Sequence, residues 1–136
     1  MNGQNNWNVG YSAICFIEQV LSTHTSVQSF DRDNDIQFSI VRTGELSDLN
    51  IVFVEEYHLG EAAAYAIIKE FAGVQMIVNN GNWNHVLLDW RNFADRTGVF
   101  VFKMPDFMGA LNSDDIRKYI TADEREERRR KRRKSS

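Results

Sequence analysis

The first half of the chain changes from a helical to an extended spacing of apolar residues. Between residues 12 and 24, apolar side chains recur every three or four positions, which predicts an amphipathic helix with one buried stripe. An extended segment over 27–30 is followed by alternating apolar and polar residues over 36–41 and by an apolar run over 51–57. Because a polar, glycine-containing segment separates the last two runs, they are predicted to form an antiparallel hairpin.

The second half of the chain predicts two strand–helix units in succession. A helix over 60–72 precedes a strand over 74–78 that is apolar enough to be buried on both faces. A second helix over 84–97 and a second buried strand over 99–102 repeat the arrangement, and Pro105 ends it before a closing helical turn. Together these elements predict an α/β domain with a mixed central sheet flanked by helices.

The C-terminal segment has a different composition from the predicted domain. Ser113 is expected to cap a last helix that docks through the apolar residues around Tyr119. Beyond Ala122 there is no apolar residue, so this stretch is expected to be a frayed, solvated helix or a disordered tail. The predicted organisation is a flexible N-terminus over 1–9, an α/β domain over 10–112, and a C-terminal helix with a basic tail over 113–136.

Charge is divided unevenly between this domain and its tail. The chain has 136 residues, of which 43% are hydrophobic, and its net charge is −3. Residues 1–124 hold 8 basic and 17 acidic residues, a net charge of −9, whereas residues 125–136 hold 8 basic and 2 acidic residues, a net charge of +6. Since an acidic surface repels phosphate, only the tail has the right sign for electrostatic binding of nucleic acid.

The cysteine content and the hydropathy of the chain indicate the cellular compartment of the protein. The lone Cys15 has no partner for an internal disulfide, and no apolar run approaches the roughly 20 residues that span a bilayer. The polar N-terminus lacks the order of a signal peptide. We therefore expect an intracellular protein without a membrane segment, nuclear if the source is eukaryotic and otherwise cytoplasmic.

The tail carries the strongest local signal in the sequence. Its seven consecutive basic residues are Arg128, Arg129, Arg130, Lys131, Arg132, Arg133 and Lys134. Such a run can neutralise several phosphates without reading sequence, or bind an acidic protein partner. The alternatives are a nuclear import signal in a eukaryote and a tail that only improves solubility.

The order helix, strand, hairpin, helix, strand, helix, strand over about residues 10–112 resembles the restriction-endonuclease-like (PD-(D/E)XK) nucleases, in particular their Mrr-like branch. The run "VQMIVNNGNWNHVLLDWRNFADRTGVFVFKMPDFMGALN" resembles the Mrr-like ending, and "FIEQVL" resembles the first helix, whose acidic residue here is Glu18. The resemblance implies that an Asp near the start of the second strand and an acid-x-Lys on the third would bind Mg²⁺. In active members that metal activates water while the lysine assists the nucleophile.

The hairpin supplies the candidates for this site. With a turn centred near Leu46, Gln37 would lie opposite Glu55 and Asp35 opposite Tyr57, with Glu18 nearby. In one alignment Asp35 and Glu55 are the metal ligands and Tyr57 stands at the lysine position.

In a second alignment, "DNDIQF" matches the family's "DGGIDL", so that Gln37 replaces the aspartate, Glu55 the lysine and Phe53 the preceding acid. Neither alignment supplies a lysine, because the chain has no Lys or Arg between Arg42 and Lys69. The resemblance therefore implies a degenerate active site.

Three functional hypotheses follow. The first is a catalytically inactive nuclease-fold accessory or scaffold domain in a nucleic-acid-handling assembly, with a protein partner or an oligomer and without a cofactor. The second is an active Mg²⁺-dependent nuclease that uses Asp35 and Glu55. The third is an acidic decoy or inhibitor protein. Asp31, Asp33 and Asp35 also have a purely structural interpretation, because aspartate in a turn commonly bonds its own backbone.

Overall fold

The computed structural model describes residues 5–80, 85–86 and 88–135. In chain order its elements are α1 (Tyr11–Thr23), β1 (Val27–Arg32), β2 (Gln37–Arg42), β3 (Leu49–Val54), β4 (His58–Leu59), α2 (Glu61–Glu70), β5 (Met76–Asn79), β6 (His85–Val86), α3 (Trp90–Thr97), β7 (Phe100–Lys103), α4 (Met104–Ala110), a 3₁₀ turn (Ile116–Lys118) and α5 (Ala122–Ser135).

The larger sheet has the strand order β1-β2-β3-β5-β7 and is mixed. Strands β1, β2 and β3 pair antiparallel in succession, while β5 is parallel to β3 and β7 is parallel to β5. A separate parallel pair, β4 with β6, follows the carboxyl ends of β3 and β5. The predicted α/β class with a mixed central sheet flanked by helices is confirmed.

The core is centred on β3 and β5, whose side chains are buried on both faces. Ile51, Val52, Phe53 and Val54 are all 0% exposed, as are the three apolar residues that begin β5. Aromatic side chains pack against one another in this core. Phe53 packs edge-on against both Phe38 and Phe107, at ring-centroid distances of 5.3 and 5.4 Å. Full burial of each such side chain stabilises the fold by about 1.5–3 kcal/mol.

The predicted register of the β2–β3 hairpin is wrong. Gln37 pairs with Val52, not with Glu55, which is a shift of three residues. The turn lies around Gly44, whose φ of +66° is a left-handed conformation that glycine adopts without strain. Strand β3 ends at Val54, so Glu55 and Tyr57 lie beyond the paired strands.

Helix α3 begins at Trp90, later than the predicted start at residue 84. The Asp89 side chain accepts a hydrogen bond from the Asn92 backbone N–H and caps the helix there, while residues 85–86 are extended in β6. Trp90 is buried, as its place on the apolar stripe predicts. The predicted first helical residue, 84, falls outside the described part of the chain, as do residues 81–83.

The C-terminal segment forms two helical pieces where the sequence predicted one. Asp115, not Ser113, caps the 3₁₀ turn, by accepting from the Arg117 backbone N–H. A capping box then starts α5, because the Thr121 hydroxyl accepts from the Glu124 N–H at 3.3 Å and the Glu124 carboxylate accepts from the Thr121 N–H at 2.9 Å. The tail is thus a solvated helix that continues to Ser135.

Residues 5–9, expected to be flexible, contact the domain. Val9 is 1% exposed, and the Trp7 carbonyl accepts a hydrogen bond from the Glu55 backbone N–H at 2.9 Å. The Trp7 indole N–H donates to Glu70 at 3.1 Å. Within the described residues, no helix combines the length and the apolar character that crossing a membrane requires.

Arg42 at the end of β2 is a charged residue with only 1% of its surface exposed. Its guanidinium donates to the Ser47 carbonyl at 2.7 Å, the Leu111 carbonyl at 3.1 Å and the Ser113 carbonyl at 2.8 Å. Burial lowers the pKa of Arg42, although nearby aspartates act in the opposite direction. This side chain ties β2 to the segment that precedes the 3₁₀ turn.

We expect Arg42→Ala to lower the free energy of unfolding by about 2–4 kcal/mol, because three backbone carbonyls, one of them fully buried, lose their donor. Arg42→Lys should recover only part of this loss, since one ammonium lacks the forked geometry of the guanidinium. Urea denaturation followed by circular dichroism measures both values. Arg130→Ala, at an exposed arginine, is the matched control and should change stability by less than about 0.5 kcal/mol. An equal effect of the two alanine variants would contradict this role of Arg42.

Candidate nucleic-acid interface

Helix α5 has an ordered distribution of charge that explains its stability without apolar residues. Asp123 and Glu124 lie in its first turn, while its last turn is basic, which complements the helix dipole. Glu126 pairs with Arg130 at 3.7 Å, and the next glutamate pairs one turn further on in the same way. Each such pair adds about 0.2–0.5 kcal/mol.

Arg91 of α3 anchors the first turn of α5. Its Nε lies 2.6 Å from Glu124 Oε2, and its terminal nitrogens donate to the Arg117 and Tyr119 carbonyls, each at 2.6 Å. One guanidinium therefore holds both the 3₁₀ turn and the start of α5. Sequence reasoning missed this residue, because its partners lie 26 to 33 positions away and leave no local pattern.

The end of β7 supplies a second attachment point for α5. Lys103 Nζ lies 2.9 Å from Asp123 Oδ2. Asp106 Oδ1 accepts a hydrogen bond from the Ala122 backbone N–H at 2.9 Å and one from the Tyr119 hydroxyl at 3.4 Å. With two such attachments, α5 leaves the domain in a fixed direction.

A groove of about 640 Å³ runs between α5 and the segment before it. Its walls are formed by Lys118, Tyr119, Ile120, Arg125, Arg128, Arg129 and Arg132. Three of these belong to the basic run found in the sequence, while Lys118 and Arg125 are added by the structure. The other four basic residues of the run, Arg130, Lys131, Arg133 and Lys134, do not line the groove.

The groove, defined here as the basic groove, concentrates five cationic side chains, four of them on α5 and Lys118 in the preceding 3₁₀ turn. Guanidinium groups form forked hydrogen bonds to phosphate, so this arrangement is suited to a chain of phosphates. The single aromatic side chain, Tyr119, packs edge-on against Phe102 at 5.8 Å and is bonded to Asp106. The groove therefore presents cationic side chains, while its one aromatic ring is held by contacts within the domain.

The candidate nuclease acids Glu18 and Asp35 are held by a basic residue that the sequence comparison overlooked. Arg32 of β1 lies 3.8 Å from the Glu18 carboxylate and 3.5 Å from the Asp35 carboxylate. The Asn5 amide also donates to Asp35 at 2.7 Å. A guanidinium thus contacts both carboxylates, and this donor set does not fit a Mg²⁺ site.

The other candidates have separate partners. Glu55 accepts from the Asn80 amide at 2.8 Å. Gln37 is buried at 7% exposure and donates to Asn50 at 3.0 Å. Tyr57 is 63% exposed. Among the residues described by the structure, no three or more Asp, Glu, His or Cys side chains form a group that could hold a metal ion.

Asn79 is a buried polar residue that the sequence analysis did not identify. It is 0% exposed at the end of β5, and its amide exchanges two hydrogen bonds with the Glu56 backbone, at 3.0 and 2.8 Å. These bonds fix the chain that follows β3. The available signal was an amide residue placed directly after an apolar strand.

Comparison with protein-family models, curated proteins and solved structures gives no match. The functional interpretation therefore depends on the geometry of the chain itself.

The anchor of α5 should be sensitive to acid. Burial of the Glu124 carboxyl by itself raises its pKa, but hydrogen bonds from Arg91 and Thr121 more than reverse this and hold the pKa at about 2, against 4.5 ordinarily. Because the folded-state pKa lies below the unfolded value, the carboxylate contributes stability that is fully present above about pH 4.5. This contribution is lost as the pH falls towards about 2.

We expect Glu124→Gln to lose about 1–2 kcal/mol of unfolding free energy at pH 7, allowing for a side chain that is 29% exposed. The difference from the unmodified protein should shrink as the pH falls below about 4.5. Urea denaturation at a series of pH values measures it. Glu127→Gln, the same change one turn later, should cost less than about 0.5 kcal/mol. A difference for Glu124→Gln that stays constant down to pH 3 would refute the assigned cause.

Proposed function

We propose that this chain is a nuclease-fold accessory domain without nuclease activity, which binds nucleic acid through the basic groove of α5. The observation that carries the proposal is the alignment of five cationic side chains along that groove. The acidic remainder of the chain repels phosphates and so restricts contact to α5. The domain would serve as a scaffold that attaches a protein assembly to DNA or RNA.

The spacing of the groove residues supports phosphate binding. Arg125, Arg128 or Arg129, and Arg132 succeed one another at about one helical turn, or roughly 5.4 Å. A single strand can thus meet a new guanidinium at each turn. Because contacts to phosphates carry no sequence information, binding is expected to be sequence-independent and strongly dependent on salt.

Two observations support descent from a nuclease fold with loss of catalysis. The succession α1, β1, β2, β3, α2, β5, α3, β7 agrees with the element order on which the resemblance to restriction-endonuclease-like proteins rests. The carboxylates that the resemblance assigns to metal binding have other partners, Arg32 for Glu18 and Asp35, and Asn80 for Glu55. A guanidinium is permanently charged and does not act as the proton-accepting or metal-bound group that the chemistry needs.

Binding can be tested by fluorescence anisotropy with labelled single- and double-stranded DNA and RNA over a range of salt concentrations. Two variants of equal charge are compared. The first replaces Arg125, Arg128, Arg129 and Arg132 by Gln, and the second replaces Arg130, Lys131, Arg133 and Lys134 by Gln. We expect the first to reduce the slope of log K against log salt by about one unit per cation removed. The second should reduce the slope less than half as much.

Glutamine retains good helix propensity, so circular dichroism should show α5 in both variants. If the two variants lose affinity equally, the basic groove is not the site and α5 acts only as a diffuse positive charge. Binding that survives in the first variant with its full salt dependence would place the phosphate contacts elsewhere and overturn the proposal.

The absence of catalysis is tested separately. We expect no cleavage of single- or double-stranded DNA or RNA in the presence of Mg²⁺ or Mn²⁺. Metal-dependent cleavage that is lost in both Asp35→Ala and Glu55→Ala would instead establish the alternative, an active nuclease that uses these two acids. Cleavage that persists in both variants indicates a contaminating nuclease. The protein is then purified further and the assay is repeated.

A further inference from the structure

A cavity of about 330 Å³ lies under the first turn of α5, on the face opposite to the basic groove. The start of α3, the end of β7 and the first two turns of α5 enclose it. This volume is at the lower end of the range for small-molecule sites, about 300–1,000 Å³. The basic groove and this cavity share no lining residue.

One wall of the cavity is apolar. Trp90, Val101 and Phe102 form it, and the two rings lie 4.8 Å apart. The Trp90 ring also has the Arg91 guanidinium carbon 4.3 Å from its centroid. This wall can cover an alkyl or flat apolar group, but it offers nothing to a phosphate.

The polar side of the cavity contains a buried carboxylate that lacks a cationic partner. Asp106 is 4% exposed, and its hydrogen bonds come from the Ala122 backbone N–H and from the Tyr119 hydroxyl. No Lys or Arg in the described ranges forms an ion pair with it. Aspartate is almost never buried so deeply without a counter-charge. The Asp106 carboxylate therefore lacks a counter-charge of its own.

The other acidic side chains of the lining are already paired. Asp123 contacts Lys103, Glu124 contacts Arg91, and Glu127 contacts Lys131 at 3.5 Å. Asp89 caps α3. A cation entering the cavity would therefore meet Asp106 without displacing an existing ion pair.

Trp90 adds a second unsatisfied group. It is 8% exposed, and its indole Nε1 has no hydrogen-bond partner. A buried donor that is left unpaired costs about 1–3 kcal/mol.

We propose that this cavity binds an organic cation, namely an ammonium or guanidinium group on an apolar stem, with Asp106 as its counter-ion and Trp90 covering the stem. Such a group occurs on free amines and on the lysine or arginine side chain of a partner protein. Because the cavity lies between β7 and α5, its occupant would tighten the attachment of α5. The proposal does not depend on nucleic-acid binding by the opposite face.

The test uses the full chain and the NMR signal of the Trp90 indole N–H, identified by its loss in Trp90→Phe. The probes are butylguanidinium and butylurea, which have nearly the same shape and differ in charge. Nα-acetyl-arginine amide serves as the side-chain probe. We expect saturable shifts with butylguanidinium and none with butylurea. Asp106→Asn should weaken binding about tenfold or more, whereas Asp31→Asn, the same change at an exposed acid, should have little effect.

The probes also distinguish the two sources of the cation. Tighter binding of Nα-acetyl-arginine amide than of butylguanidinium supports a partner side chain, and equal binding supports a free amine. Equal shifts with butylguanidinium and butylurea would overturn the proposal without relying on any variant. So would unchanged binding in Asp106→Asn, or no saturable shift with any probe up to about 10 mM.

Discussion

The complete burial of β3 and β5 is the constraint on which the rest of the structure depends. Both strands are covered on both faces from Ile51 to Val54 and from Met76 to Asn79, so a polar side chain there cannot reach solvent. Polar groups are therefore confined to the strand ends. Since β3, β5 and β7 are parallel, their carboxyl ends meet at one edge of the sheet, with Glu55, Asn79 and Lys103 at or just beyond them.

That edge has two parts with different chemistry. Near β3 and β5, the polar groups satisfy one another, as Asn80 does for Glu55 and Asn79 does for the Glu56 backbone. Near β7, Lys103 and Asp106 instead bind the first turn of α5. The resemblance to nucleases predicts a catalytic site near β3. In this fold the polar groups there are hydrogen-bonded to one another. The part that faces outward carries a basic helix.

The sequence predicted the elements well and their pairing poorly, for a physical reason. Helices α1 and α2 and the buried strands follow from apolar spacing, because burial dominates their energetics. The register of β2 on β3 did not follow, since a strand that is apolar on both faces gives no indication of which residues face which side. The turn at Gly44 and the hydrogen bond from the Gln37 amide to Asn50 accompany the observed register. The capping box of Thr121 and Glu124 could be predicted from the local sequence, because its two residues are three positions apart. The contacts of Arg91 join residues far apart in the sequence and leave no such pattern.

The anchor of α5 also affects the charge of Arg128, a residue of the basic groove. Glu124 stands one turn before Arg128, where the pattern of charges alone would pair the two. In the structure Glu124 binds Arg91 instead, so the charge of Arg128 is not neutralised by it and contributes to the basic groove. The attachment of α5 and the charge of the basic groove are thereby linked. The guanidinium that fixes the direction of α5 also takes up the carboxylate that would otherwise pair with Arg128.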